Sequence, residues 1–148
     1  QDMEMFFSLI DRPRGVHLCG NPDWDFLLNL DIDILSLDVY TNGEVFSSYA
    51  KSVKRFLDRG GVLCWGLVPT NVEPFEKESV DSLESMLENL WQSLYARGID
   101  RDQLLAQSLL SPATCCLINP DIEKTVEKGF AAVKHLSEKL RDKYGLTG

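Results

Sequence analysis

The residues best suited to chemistry are His17 and Cys19, one residue apart, and the adjacent pair Cys115-Cys116. On a strand, residues i and i+2 point to the same side, so the imidazole of His17 and Sγ of Cys19 can approach one ion together. Imidazole and thiolate suit Zn²⁺, which binds them in a tetrahedron at about 2.0 to 2.3 Å. A third ligand from Cys115 or Cys116 would close three corners. The fourth would stay open to an exchangeable group, which is the layout of a catalytic site rather than a structural one. Asp38 could take that corner until substrate displaces it, or act on His17 from behind. A lone His-x-Cys on a strand reads as a core pair; the further thiols turn the reading toward a metal. For the same reason a His17–Cys115 nucleophile dyad is the lesser alternative.

Such a cluster requires elements that bring distant residues to one place. Four units repeat along the chain, each an apolar run, a turn and a helical pattern. Strands are predicted at 15–20, 33–40, 62–67 and 104–110. Asn21-Pro22-Asp23 opens a short helix after the first, and a helix over 43–58 after the second stops at Gly60-Gly61. The longest loop, 68–74, follows the third and leads into a helix over 79–96, with Gly98 just past its end. Ser111-Pro112 turns the chain after the fourth, and Asn119-Pro120-Asp121 opens the last helix. Its inward face is predicted to hold Ile122, Val126, Phe130, Val133, Leu140 and Tyr144.

This alternation predicts an α/β fold with parallel strands, since parallel neighbours need a crossover. In such folds functional groups gather where strands end. Those ends carry His17 and Cys19, Asp38, the 68–74 loop, and Cys115-Cys116. Cys64, inside Val62-Leu63-Cys64-Trp65, reads as buried packing, and His135 as a surface residue of the last helix. Trp24 and Trp91 fit helix faces packing on the sheet, while Trp65 fits either the core or a pocket wall.

Composition removes several classes of function. With 23 Asp and Glu against 15 Lys and Arg, the net charge of −8 opposes any interface built on phosphate neutralisation, so nucleic acid is not expected as a partner. No apolar run reaches the ~18 to 20 residues of a membrane span, and the first residues do not read as a signal peptide. Four cysteines in 148 residues are far fewer than in disulfide scaffolds and read as reduced thiols of a cytoplasmic protein. P-loop, G-x-S-x-G and G-x-G-x-x-G motifs are all missing.

Four segments then carry a family resemblance: Val16-His17-Leu18-Cys19-Gly20-Asn21, Asp33-Ile34-Leu35-Ser36-Leu37-Asp38, residues 60–70, and Ser111-Pro112-Ala113-Thr114-Cys115-Cys116. Over nearly its whole length the chain resembles the C-terminal part of the catalytic domain of cobalamin-independent methionine synthases. It is similar too to the zinc-dependent methylcobalamin:thiol methyltransferases and uroporphyrinogen decarboxylases of that superfamily. The resemblance implies the second half, four βα units, of a TIM-type (β/α)8 barrel, with residues 1–148 a single partial domain of a longer chain. A start at Gln1, without Met and within a helical pattern, agrees with that expectation.

The resemblance further implies a zinc ion held by His17, Cys19, Asp38 and Cys115, with Asp38 also at the catalytic centre and Cys116 the close alternative to Cys115. The implied activity is methyl transfer to a small-molecule thiol, homocysteine giving methionine. The implied donor is a methylcorrinoid protein or a methylated folate. A coenzyme M-like acceptor, or a non-catalytic half-barrel that pairs with another half-barrel or with itself, are the alternative readings. Three features depart from the methionine synthase pattern: Asp38 stands where Glu is usual, Val68 where those enzymes carry a substrate-contacting His, and Pro112-Ala113-Thr114-Cys115-Cys116 where Pro-x-Cys-Gly is the common form.

Overall fold

The computed structural model describes residues 2–115 and 119–146. In chain order the elements are α1 (Asp2–Ser8), β1 (Gly15–Leu18), α2 (Trp24–Asn29), β2 (Ile34–Asp38), α3 (Val39–Ser47) and α4 (Ala50–Asp58). Then follow β3 (Val62–Val68), α5 (Val72–Glu76), α6 (Val80–Ala96), α7 (Arg101–Ala106), β4 (Ser108–Pro112) and α8 (Lys124–Tyr144). The four strands form one sheet in the order β1-β2-β3-β4, and every neighbouring pair is parallel. Among the described residues no helix is long and apolar enough to cross a membrane.

Alternation along the strands divides the sheet into two unlike faces. Leu35 and Leu37 of β2, and Leu63, Trp65 and Leu67 of β3, are buried under the helices. An edge-to-face aromatic series crosses that layer: Trp24 to Phe46 at 5.2 Å, Phe46 to Trp65 at 6.0 Å, and Trp65 to Trp91 at 6.3 Å. Trp65 therefore belongs to the core, where its Nε1–H donates to Ser108 Oγ at 2.8 Å. On the other face His17, Ser36, Cys64 and Leu109 stand in register across all four strands, exposed or half-buried. Cys64 thus lies half-buried on this uncovered face, not packed in the core as its apolar neighbours predicted.

Several boundaries differ from the sequence reading. The run 104–110 divides between α7 and β4, because Asp100 caps a helix by accepting from Gln103 N at 2.8 Å. Short apolar runs fit both periods, and here the cap decides. The helix predicted over 43–58 starts at Val39, where Asp38 is the cap, and it breaks after Ser47. There the hydroxyls of Ser47 and Ser48 donate back to the carbonyls of Glu44 and Val45, competing with the helical ladder. By contrast α6 runs almost as predicted, fixed by a reciprocal capping box between Ser79 and Ser82. The 68–74 loop contains the start of α5.

The last helix keeps part of its expected inward face: Leu140 is buried and Val133 and Tyr144 pack against the core, joined by Thr125, Gly129 and Leu136, while Phe130 is 53% exposed and Ile122, which precedes the helix, 73%. Gly129 is buried where α8 lies against the end of β3, and a Cβ there would stand in ordinary contact with Pro69 O at 3.5 Å. Phe130 is turned instead toward a groove at the open edge of β4, with Leu109, Leu110 and Val133.

Gly66 has a tighter requirement. A Cβ there would meet Leu37 O at 2.5 Å and Pro112 O at 3.0 Å, both backbone atoms of the flanking strands. Gly66→Ala is therefore expected to destabilise the protein by about 1 to 3 kcal/mol. The measurement is a urea unfolding curve, with a lower midpoint at unchanged slope.

The buried carboxylate of Glu84 on α6 joins that helix to Lys139 and Lys143 of α8, and these lysines hold its pKa below the ordinary range. A carboxyl whose pKa is lower folded than unfolded stabilises above the unfolded value and loses that contribution as pH falls through the folded one. Thermal melts should thus fall steeply below about pH 4.3. Glu84→Gln should lower the melting temperature at pH 7 and flatten that decline.

Candidate functional site

Because all four strands run the same way, their C-terminal ends share one rim. β1 ends at Leu18, so His17 lies on the strand and Cys19 just beyond it, both turned to the uncovered face. Cys115 lies three residues beyond the end of β4. A flat sheet would separate β1 from β4 by three spacings, about 14 Å. Yet Cys19 Sγ and Cys115 Sγ are 3.8 Å apart. The loop after β4 turns toward β3 and carries Cys115 across part of that gap.

The turn is held by groups that motif reading passed over. Buried Thr70, after β3, donates its hydroxyl to Cys115 O at 3.2 Å and lies 3.1 Å from Thr114 Oγ1. Asn119 donates Nδ2–H to Thr70 O at 2.8 Å and accepts from Val72 N at 3.3 Å. Ala113 N donates to Val68 O at 2.8 Å. The only sequence signal for this anchor was the polar character of Thr70 and Asn119 inside turn segments, which ordinary loops share.

At the rim, His17 Nε2 lies 3.1 Å from Cys19 Sγ, and its Nδ1 lies 2.8 Å from Ser36 Oγ. Two thiolates at about 2.3 Å from one tetrahedral ion stand about 3.8 Å apart, which matches the Cys19–Cys115 separation. The Nε2–Sγ contact is a hydrogen bond, tighter than two ligands on a shared ion. Accordingly, among the described residues no group of three or more His, Cys, Asp or Glu side chains is spaced as a metal cage. The donors still have the chemistry of a zinc set: one imidazole and two thiols, accessible from the open face.

Asp38 ends β2 and is close enough to Cys19 to act on it electrostatically. It is 3% exposed and its Oδ1 accepts from Thr41 N at 3.0 Å, capping α3. Cys116 lies outside the described residues.

Charge at the site disfavours anions. A hydrogen bond from the Cys115 backbone draws the Cys19 pKa down, but desolvation, the Cys115 thiol and the Asp38 carboxylate raise it, and the net direction is up. Without a cation Cys19 thus resists ionisation; a cation among these donors reverses that balance.

Fold and rim together define an α/β chain with a parallel four-stranded sheet and a His/Cys cluster at its C-terminal edge. No family model matches this chain, and no curated protein or solved structure matches it significantly.

The separation of the two sulfurs can be tested without any metal. In a Cys116→Ser background, one equivalent of phenylarsine oxide, which bridges two thiols, should block both Cys19 and Cys115. Adding Cys19→Ser should abolish that stoichiometry, as counted by a thiol-specific chromogenic reagent.

Proposed function

We propose that this chain is the zinc-holding half of a (β/α)8 barrel that transfers a methyl group to a thiol, with homocysteine as acceptor and methionine as product. The observation that carries the reading is the run from His17 Nε2 to Cys19 Sγ to Cys115 Sγ, with steps of 3.1 and 3.8 Å, on the rim where parallel folds place their chemistry. The family resemblance of the same segments supports it. For the barrel, support comes from an all-parallel sheet with one row, His17, Ser36, Cys64 and Leu109, left uncovered. Four strands cannot close a barrel, so four more, from another half-barrel or a second copy, would be needed to cover that row.

Zinc bound here would favour the thiolate form of the acceptor at neutral pH. The residues of the chain supply geometry. His17, Cys19 and Cys115 would hold the ion and leave room for the acceptor thiol. The open face gives the acceptor its path, and the Thr70–Asn119 anchor keeps Cys115 within reach. Asp38 holds the start of α3, and with it the end of β2, beside Cys19. In the transfer the acceptor sulfur forms the S–CH3 bond in line as the bond from the methyl to its donor breaks. The electron pair leaves with the donor, and alignment of the two reactants supplies much of the rate. The donor is a methylcorrinoid protein or a methylated folate; a coenzyme M-like thiol is the alternative acceptor. The uncovered face also supports a second reading, a non-catalytic half-barrel that serves as an assembly module.

Protein purified without added metal should carry about one zinc per chain. Cobalt-substituted protein should change its visible thiolate band when homocysteine is added. Folded protein with less than about a tenth of an equivalent of zinc would end the catalytic reading and leave the assembly one. Loss of metal in Cys116→Ser but not in Cys115→Ser would reassign the third ligand.

A further inference from the structure

We propose that Ser36 is a positioning residue: its hydroxyl accepts the Nδ1–H of His17 and so keeps the Nε2 lone pair of that ring directed at Cys19 Sγ. The inference rests on the zinc reading above and adds to it a residue that no ligand pattern contains.

The geometry starts from strand register. His17 of β1 is paired with Ser36 of β2, and both side chains stand on the uncovered face. Ser36 Oγ is 2.8 Å from Nδ1, a full hydrogen bond, while Nε2 faces Cys19 Sγ on the far side of the ring. The two nitrogens therefore have different partners, and the bond made by one decides the state of the other.

Only one proton arrangement suits metal binding. A neutral imidazole carries its proton on one nitrogen, and a hydroxyl can donate or accept. If Ser36 donated to Nδ1, the ring proton would sit on Nε2 and point at Cys19, leaving no lone pair for an ion. With Ser36 as acceptor, Nδ1 carries the proton and the Nε2 lone pair is free, or accepts from the Cys19 thiol.

The placement also explains why the support comes from β2. β1 is an edge strand and His17 is exposed, so its ring has little packing to hold it. β2 is bonded on both sides, and Leu35 and Leu37, flanking Ser36, are fully buried. Ser36 therefore sits on one of the most constrained backbones in the sheet and passes that rigidity to the ring. A hydroxyl also adds no charge beside two thiols and Asp38, whereas a carboxylate in its place would add another anion.

The test compares wild type with Ser36→Ala and Ser36→Thr. Nitrogen-15 NMR of the imidazoles reads the tautomer in metal-free protein, with His135→Gln assigning the two histidines. Wild type and Ser36→Thr should show the proton on Nδ1, and Ser36→Ala a mixture or a shift to Nε2. Zinc affinity, by competition with a chromophoric chelator, should fall about 10- to 100-fold in Ser36→Ala and recover in Ser36→Thr, with thermal melts unchanged. An unchanged tautomer and affinity in Ser36→Ala would overturn the role of Ser36 while leaving the zinc reading intact. A proton on Nε2 in the wild type would overturn it as well. A tautomer that responds to Ser36 in a protein that binds no zinc would support the positioning contact and remove the zinc reading instead.

Discussion

Parallel pairing of every strand is the constraint from which the rest of the molecule follows. A parallel pair cannot be joined by a tight turn, so each strand is followed by a crossover, and the helices of those crossovers all pack on the same face of the sheet. That face becomes a dry layer of leucines and edge-to-face aromatics, centred on Trp65. The opposite face receives the alternate residues, His17, Ser36, Cys64 and Leu109 among them. The same pairing directs all C-terminal ends one way, so residues almost a hundred positions apart meet at one rim.

Closeness at that rim depends on more than strand direction. Cys115 reaches Cys19 because the loop after β4 is tied back to the end of β3 through Thr70 and Asn119. The last helix, α8, packs against the same point at Gly129. Gly66 admits the flanking backbones, drawing β2 and β4 toward β3 where they deliver Asp38 and the Cys115 loop. The proposed metal position is thus built on one edge strand, β1, and on a loop anchored to a central strand.

Much of this was legible in the residues. Four βα units, their parallel arrangement and the His17, Cys19 and Cys115 positions at strand ends follow from apolar periodicity and turn signals. The misreadings have local causes. The run 104–110 fits both a helix and a strand, and only the Asp100 cap separates them. Phe130 looks like a core residue by helical spacing, yet the buried stripe of α8 runs through Thr125, Gly129, Leu136 and Leu140 and leaves it exposed. Cys64 sits among core residues along the chain but on the opposite face of the sheet, because neighbours on a strand point opposite ways.

What the sequence determined by itself is what short-range rules govern: element type where period and cap agree, the direction of the strands through their crossovers, and which residues occupy the strand ends. Tertiary structure alone decided the separation of 3.8 Å between two sulfurs and the pairing of Ser36 with His17. Both depend on strand register and on how the loop after β4 is anchored. These are set by packing summed over the whole core, which no local pattern of residues encodes.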